Sequence, residues 1–295
     1  MSLEKPTKRF RALLARKEIT LLPGVGDPFT ARLVAAEGYD ALMSSGNASS
    51  AMRLGLPDVG LMTLAENAEN AGRIAAASGL PVFADADTGY GPAINVCRTI
   101  MEFERAGVAA VMLEDQVTPK RCGMMAGKQV ISTSEMEMKI KSALDARRDD
   151  GLVIVARTDA RAVEGLDAAI RRAEAYQRAG ADAIFVEGPK TEEEATAIAR
   201  RIDAPMLYNI TPTGSVAPLT VEKLEALGYK MLSTSVYTVL AAIPGLRHFL
   251  RTLKQTGDVA KAGSHVAAMA DYYDILKLED WQDLEERYSN STKHD

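Results

Sequence analysis

The sequence predicts an α/β fold, a (β/α)8 TIM barrel with a C-terminal helical extension. Three observations predict it: helical stretches that end at a glycine, a short apolar run directly after each of them, and a chain length of 295 residues. Glycine just past a helix end supplies the left-handed cap. Short continuous apolar runs are typical of strands buried on both faces of a parallel sheet. The length fits one barrel of about 250 residues plus extensions.

The glycines that end helical stretches recur along the chain, at Gly38, Gly79, Gly107, Gly151, Gly180 and Gly228. The apolar runs predict eight strands, at approximately Ile19–Val25, Ala41–Ser45, Pro81–Asp85, Ala109–Glu114, Leu152–Arg157, Ala181–Glu187, Pro205–Asn209 and Tyr229–Ser233. Eight strand–helix units favour a closed barrel. The alternative is an open doubly wound sheet, but no Gly-x-Gly-x-x-Gly turn follows the first run.

The domain prediction is a single barrel over 1–295, in which 260–295 forms a C-terminal helical arm. The arm has a helical pattern of charged and apolar residues in HVAAMADYYDIL and EDWQDLEERY. A barrel closes without such an arm. We therefore expect the arm to pack outside its own barrel or to dock on a neighbouring subunit.

Composition argues against several classes of protein. A formal net charge of -5 without a basic block argues against nucleic acid as a partner. No apolar run reaches the roughly 18 residues of a membrane span, and the N-terminus lacks the apolar region of a secretory signal. Two cysteines, Cys97 and Cys122, do not make a disulfide framework and fit a reducing compartment. We therefore expect a cytoplasmic protein.

Polar side chains stand at the predicted C-terminal ends of the strands, where this fold places catalytic groups. In chain order they are Ser44, Ser45, Asp85, Asp87, Glu114, Asp115, Arg157, Asp159, Glu187 and Asn209. Carboxylates this close would raise one another's pKa unless a cation joined them. The three histidines, His248, His265 and His294, lie away from the strand ends. The site therefore favours a hard ion, Mg²⁺ or Mn²⁺, over zinc.

Asp85 and Asp87 are the first candidates for metal ligands. Two residues apart on a regular strand, they would point the same way. The alternative is a role in turn formation and helix capping within DADTGYGP, because Asp and Gly are ordinary turn residues. Glu114 and Glu187, at equivalent ends of other strands, favour the metal site.

Cys122 lies in the loop after the fourth predicted strand, with Lys120, Arg121 and Lys128 nearby in the sequence. Nearby cations would lower the pKa of the thiol, and the glycines of this loop would allow it to move. Such a thiol suits a lid that delivers an acid or base to bound substrate. The alternative is an incidental cysteine on a basic surface loop.

Arg157 ends an apolar strand, so its guanidinium needs a partner. A substrate carboxylate, bound through two parallel hydrogen bonds, is one such partner. An ion pair with Asp159 or Glu187 is the alternative. No predicted strand end carries the lysine of a Schiff-base aldolase, so retro-aldol chemistry here would use a metal.

Several segments together resemble the isocitrate lyase/phosphoenolpyruvate mutase superfamily over about residues 20–290. They are LPD (56–58), DADTGYG (85–91), LEDQ (113–116), KRCG (120–123) with GK (127–128), and ARTDA (156–160). The branch that the chain resembles contains 2-methylisocitrate lyase, 2,3-dimethylmalate lyase and carboxyphosphonoenolpyruvate mutase. The resemblance implies a Mg²⁺-dependent barrel enzyme that forms a homotetramer and swaps its C-terminal helices between subunits.

The resemblance also implies the roles of individual residues. Asp85 and Asp87 would hold the metal, with Asp58 and Glu114 contributing through water. The catalytic residues would be Cys122, Arg157 and Glu187, and the substrate-binding residues would be Ser44, Ser45, Gly46, Gly123, Asn209 and Thr211.

The activity that the resemblance implies is that of a carbon–carbon lyase. A small 2-hydroxy di- or tricarboxylic acid would be cleaved by a retro-aldol step to a 2-oxo acid, pyruvate or glyoxylate, and a carboxylic acid. Cys122 would protonate the departing fragment on carbon.

The chain departs from the lyase pattern at several positions. Met124 stands where a histidine usually follows KRCG, and Met43, Pro212 and Ala241 replace the usual tyrosine, glutamate and arginine. Loss of the arginine favours a substituted malate over methylisocitrate. The alternatives are an oxaloacetate hydrolase or decarboxylase, a carboxyphosphonoenolpyruvate-type mutase, and a non-catalytic metabolite-binding barrel.

Overall fold

A computed structural model describes residues 4–212, 214, 216–263 and 266–290. Its eight parallel strands close into a barrel in chain order, which confirms the predicted fold. The strands are β1 (Thr20–Val25), β2 (Leu42–Ser44), β3 (Val82–Asp85), β4 (Ala110–Glu114), β5 (Val153–Thr158), β6 (Ala183–Val186), β7 (Met206–Asn209) and β8 (Met231–Thr234). Each lies at one of the eight predicted positions.

Helices follow the strands and precede the first of them. They are α1 (Pro6–Ala15), α2 (Pro28–Ala36), α3 (Gly46–Ser49), α4 (Leu64–Ser78), α5 (Ala93–Arg105), α6 (Thr133–Ala146), α7 (Ala160–Val163), α8 (Leu166–Arg178), α9 (Glu192–Ala199), α10 (Val221–Leu227), α11 (Tyr237–Thr256), α12 (Val259–Ala262), α13 (Met269–Leu276) and α14 (Leu278–Asn290). The start of α4 shows why they begin where they do. Thr63 and Glu66 form a reciprocal capping box there, which satisfies two otherwise unpaired backbone N–H groups.

The predicted glycine caps are correct at five of six positions. Positive φ angles, which favour glycine, occur at Gly38, Gly79, Gly107, Gly180 and Gly228. The prediction is wrong at Gly151, because α6 already ends at Ala146. Gly151 instead allows close packing: a Cβ there would stand 2.9 Å from Oγ1 of Thr7 in α1.

Alternation along the strands produces two apolar layers. One residue of each pair points into the barrel, and its neighbour points out towards the helices. The interior layer includes Leu22, Met43, Phe83, Met112, Val155, Phe185, Leu207 and Met231, together with Phe10, Leu13 and Leu14 of α1. The rings of Phe10 and Phe83 lie 6.3 Å apart, so α1 packs against the interior of the barrel.

The chain divides into two compact units, Met1–Val239 and Leu240–Asp295. The first contains the barrel, and the second consists of helices. The predicted arm, 260–295, falls within the second unit. Among the described residues, α11 and α13 bury no side chain, although both contain apolar positions. Within the described ranges, no helix combines the length and the apolar character that crossing a membrane requires.

Candidate active site

Polar side chains form a layer above the apolar interior of the barrel. Each lies two residues after an interior side chain on its strand, and therefore faces inward as well. In chain order these residues are Asp85, Glu114, Arg157, Glu187, Asn209 and Ser233. The first four are almost fully buried. Strand alternation thus brings the predicted carboxylates and arginine together at one end of the barrel.

The neighbouring strand-end residues Ser44 and Asp115 face outward. Ser44 follows the interior residue Met43 and pairs in register with Ala84 of the outer layer. Its buried hydroxyl has no hydrogen-bond partner among the described residues. Asp115 accepts hydrogen bonds from the hydroxyls of Thr158 and Tyr176, each at 2.7 Å. Asp115 therefore ties β4 and β5 to α8 rather than serving the site.

Asp85 and Asp87 lie close together, but the expectation that both belong to a regular strand was wrong. β3 ends at Asp85, and Asp87 has a left-handed backbone with φ of 49°. The Asp87 N–H donates to Oδ1 of Asp85 at 3.1 Å. A Cβ built at Gly46 would stand 2.9 Å from Oδ2 of Asp85 and 3.4 Å from Oδ1 of Asp87. The two carboxylates therefore meet above Gly46 through a strained turn, not through alternation along a strand.

Lys120 is the site residue that the sequence did not reveal. Its buried ammonium forms ion pairs with Asp58 and with Oδ1 of Asp87, the latter at 2.7 Å. Burial by itself would lower the pKa of Lys120, but nearby carboxylates, Asp87 and Glu114 foremost, hold it well above its ordinary value. Lys120 does not end a strand; it reaches the site from the loop that also carries Cys122. Its signal was a lysine two residues before that cysteine.

The carboxylates outnumber the cations around this site. Asp58, Asp85, Asp87, Glu114, Asp159 and Glu187 are all buried there, against Lys120, Lys128 and Arg157. Burial raises the pKa of Asp87 to about 6 despite the Lys120 charge, and it raises the pKa of Glu114 well above its ordinary value despite Arg157. Among the described residues, Oε1 of Glu114 has no hydrogen-bond partner. The cluster therefore has an excess of negative charge that a cation would balance.

The donor set fits a hard cation that keeps part of its water. Within the described ranges, no three His, Cys, Asp or Glu side chains close on a single point as a ready-made metal site. Mg²⁺ is commonly bound by one or two carboxylates and retains several waters. Asp85 and Asp87 would supply the direct ligands in such an arrangement. Asp58 and Glu114, whose charges act on the same Lys120 ammonium, would contribute through water.

Cys122 is buried, and its pKa moves in the direction opposite to the one predicted. Burial raises the pKa of the thiol above its ordinary value near 9.0, and the N–H of Met124 and the amide of Asn47 only partly offset this. Nδ2 of Asn47 donates to Sγ at 3.2 Å. The prediction failed because the ammonium of Lys120 is directed at carboxylates instead of the thiol. Cys122 is therefore a protonated thiol at neutral pH, the form that a proton donor requires.

Arg157 forms an ion pair with Asp159, the alternative partner predicted from the sequence. Its Nε and Nη2 donate to the two oxygens of Asp159, at 2.9 and 3.1 Å. The guanidinium also lies 3.4 Å from Oε2 of Glu114 and 3.6 Å from Oε2 of Glu187. Burial would raise the pKa of Asp159, but Arg157 and Lys128 outweigh it and hold that pKa at about 2. Asp159 thus stays ionised and orients Arg157 towards the interior.

The other predicted substrate contacts surround this centre. The Ser45 N–H donates to the carbonyl of Val25 at 3.1 Å, and its hydroxyl caps α3. The Gly46 N–H donates to Oδ2 of Asp85 at 3.3 Å. The backbone N–H groups of Ser45 and Gly46 therefore both donate within the protein. Oδ1 of Asn209 accepts from the Ser233 hydroxyl at 2.8 Å. Thr211 lies just beyond β7 and is buried.

Gly123 brings the Cys122 loop into contact with the rim of the barrel. A Cβ at this position would stand 2.5 Å from Nη2 of Arg157 and 2.9 Å from Cδ of Glu187. Only glycine permits so close an approach. The loop therefore lies directly over the ion pairs of β5 and β6, with Cys122 at its inner surface.

A (β/α)8 barrel with this arrangement has the features of a metal-assisted enzyme for a small carboxylic acid. More specifically, the chain belongs to the phosphoenolpyruvate phosphomutase family, whose sequence model matches residues 10–254. It is 40% identical over 281 residues to 2,3-dimethylmalate lyase of Eubacterium barkeri, covering 95% of this chain and 97% of that protein. It is 41% identical over 280 residues to 2-methylisocitrate lyase of Aeropyrum pernix, covering 95% and 90%.

Two solved structures of enzymes superpose closely on this chain. Oxaloacetate acetylhydrolase in complex with 3,3-difluorooxalacetate superposes with a TM-score of 0.91 at 33% identity, over 97% of each chain. Phosphonopyruvate hydrolase in complex with oxalate and Mg²⁺ superposes with a TM-score of 0.87 at 27% identity, over 97% of this chain and 99% of that one. The named relatives therefore include both lyases and hydrolases.

Proposed function

We propose that this protein is a Mg²⁺-dependent carbon–carbon lyase that cleaves a small 2-hydroxy di- or tricarboxylic acid, preferentially a substituted malate. The products are a 2-oxo acid, pyruvate or glyoxylate, and a carboxylic acid. The observation that carries the proposal is the buried Cys122 thiol, in a loop that packs on Arg157 and Glu187 beside a centre of excess carboxylate charge. The lyases among the relatives support the same reaction class.

Each side chain has a defined task in this reaction. Asp85 and Asp87 would hold the metal, and Asp58 and Glu114 would contribute through water. When bound, Mg²⁺ supplies Lewis-acid stabilisation of the charge on the substrate oxygens. Lys120 keeps Asp58 and Asp87 in place through its two ion pairs.

The remaining residues act on the substrate itself. Arg157 binds a substrate carboxylate through the Nη1–Nη2 edge of its guanidinium, which faces Glu114 and Glu187. Asn209, Ser233 and Thr211 line the rim of β7 and β8. The 2-hydroxyl of the substrate loses its proton to solvent as its oxygen becomes the carbonyl of the 2-oxo acid. The electron pair of the C2–C3 bond moves into the departing fragment, which leaves as an enediolate. Cys122 then delivers its proton to the carbon of that fragment, and the resulting thiolate regains a proton from solvent.

The test is release of 2-oxo acid, coupled to NADH oxidation, across substituted malates, methylisocitrate and isocitrate. We expect turnover of a substituted malate that requires Mg²⁺, stops with EDTA, and falls by about a hundredfold or more in Cys122→Ser. Cys97→Ser is the matched control, because Cys97 lies on α5 and contacts the Ser142 carbonyl on α6, away from the rim. Turnover that survives Cys122→Ser would contradict the proposed proton donor.

The second candidate function is cleavage of oxaloacetate by hydrolysis or decarboxylation. A carboxyphosphonoenolpyruvate-type mutase reaction is a further alternative. The structural likeness to oxaloacetate acetylhydrolase favours it. If no 2-hydroxy acid is turned over but oxaloacetate is cleaved to oxalate and acetate, the hydrolase replaces the lyase proposal. Binding of Mg²⁺ and oxalate without any turnover would instead leave the non-catalytic metabolite-binding barrel.

We also propose a homotetramer in which the C-terminal helices are exchanged between subunits, and a cytoplasmic location. The two free cysteines, Cys97 and Cys122, support the location. Large apolar side chains of the second unit support the exchange, because they are exposed in the single chain; they include Leu246, Leu250, Met269, Trp281 and Tyr288.

The assembly has a direct test. We expect light scattering after gel filtration to give four times the chain mass of 31.7 kDa. Truncation after residue 256, at the end of α11, should lower the oligomeric state because it removes α12–α14. A full-length monomer at micromolar concentration would contradict this assembly.

A further inference from the structure

Lys128 crosses from the Cys122 loop to the end of β5. Its ammonium donates to the carbonyl oxygen of Gly123 at 2.6 Å and to Oδ1 of Asp159 at 2.8 Å. The side chain is only 4% exposed. One buried cation therefore joins the residue directly after Cys122 to the rim of the barrel.

Asp159 receives Lys128 on one side and Arg157 on the other. Its Oδ1 accepts from both Lys128 Nζ and Arg157 Nη2, and its Oδ2 accepts from Arg157 Nε. The Asp159 N–H donates to Asp115, whose carboxylate is bound by α8. The acceptor of Lys128 is thus fixed by the barrel wall and also fixes the guanidinium.

The first half of the loop has its own attachments. The Cys122 N–H donates to the carbonyl of Asp58 at 3.1 Å, and the side chain of Gln116 bridges to the backbone of Arg121 at 2.8 and 2.9 Å. These contacts fasten the loop to the segment before α4 and to the chain just after β4. Lys128 fastens it towards β5, where Gly123 lies against Arg157.

We propose that Lys128 is a positioning residue: it holds the Cys122 thiol over the Arg157–Glu187 pair and couples the closed loop to the orientation of Arg157 through Asp159. Lys128 reaches no reacting atom itself. Its effect on catalysis rests on the proposed function, in which Cys122 is the proton donor. Its effect on exposure of the thiol does not depend on that function.

The test measures alkylation of Cys122 by iodoacetamide at fixed pH, without substrate or metal. A Cys97→Ser background leaves Cys122 as the single thiol. Alkylation should be slow in this parent, because Cys122 is 7% exposed. Lys128→Met removes two charge-assisted hydrogen bonds, so we expect the rate to rise about ten- to a hundredfold. Lys128→Arg keeps charge and donors and should restore most of the protection.

The matched control is Lys230→Met. Lys230 also donates to a backbone carbonyl, that of Arg16, at 2.7 Å. It lies just before β8, whereas the site lies at the C-terminal ends of the strands. Its substitution should leave the alkylation rate unchanged. An equal rise in Lys230→Met would mean general loosening and would overturn the inference. So would an unchanged rate in Lys128→Met that folds normally by circular dichroism. If Lys128→Met does not fold, Lys128→Gln, which keeps a neutral donor, replaces it with the same expectation.

Activity supplies the second readout. If the lyase proposal is correct, Lys128→Met should lower kcat about tenfold or more while KM changes less, because proton delivery suffers more than binding. If the wild type has no lyase activity but Lys128→Met still increases alkylation, the proposed function is contradicted and the role of Lys128 stands. Normal kcat together with unchanged alkylation would overturn the role of Lys128.

Discussion

Asp87→Asn should reduce turnover by about a thousandfold or more while leaving the folded chain at least as stable. Asparagine tolerates the left-handed backbone of Asp87 as well as aspartate does, so the change removes charge without adding strain. A direct metal ligand stabilises transition-state charge by several kcal/mol, and its loss accounts for the size of the effect. Binding of Mn²⁺, followed by electron paramagnetic resonance, should weaken in parallel.

The expected stability of Asp87→Asn follows from the pKa of Asp87. A pKa of about 6 for Asp87, above its ordinary 3.8, means that the fold disfavours the ionised form at neutral pH. Removing that charge should therefore leave the melting temperature in EDTA unchanged or raise it. Asp40→Asn is the control, because Asp40 is exposed and pairs with Arg16 at 3.0 Å. A variant with full metal affinity, or one that melts well below the wild type in EDTA, would argue against Asp87 as a ligand in an overcharged site.

Arg157→Met should lower the free energy of unfolding by about 3–5 kcal/mol. Arg157 is 8% exposed, and its guanidinium is the partner of Asp159, with Glu114 and Glu187 close by. Methionine fills similar space but leaves these carboxylates with one fewer buried cation. Urea denaturation should show the loss as a lower midpoint, and turnover should fall as well because the substrate loses its carboxylate partner.

The control for Arg157→Met is Arg98→Met on α5. Arg98 is exposed and lies 3.9 Å from Glu102, so its substitution should change stability by less than about 1 kcal/mol. A loss in Arg157→Met as small as that of the control would show that the ion pairs of β5 contribute nothing net to the fold. Retained turnover would remove Arg157 from the substrate contacts.

The alternation of residues along each strand could be predicted from the sequence, and it determined much of the site. Once eight strands were located, Asp85, Glu114, Arg157 and Glu187 had to share one end of the barrel, because parallel strands end at the same edge and residues two apart face the same way. Strand position depends on local apolar runs, which one sequence displays directly.

The contacts that loop residues make in the site could not be predicted from strand alternation. Lys120 enters the site, Lys128 reaches Asp159, and the thiol of Cys122 is shielded from both charges because each ammonium has a carboxylate or carbonyl partner. These contacts join residues far apart in the chain, and no periodicity encodes them. The sequence therefore suggested a lowered thiol pKa from neighbours in the chain, whereas burial in three dimensions raised it.

The sequence by itself determined the barrel, the positions of its strands and which strand ends are polar, because each follows from the local order of apolar residues, glycine and polar residues. The tertiary structure alone decided how those ends are used. Asp85 and Asp87 meet through a left-handed turn, Ser44 and Asp115 turn outward, and Gly151 packs against α1 instead of capping a helix. Each of these outcomes depends on the packing of segments distant in sequence, where desolvation and close contact outweigh local preference.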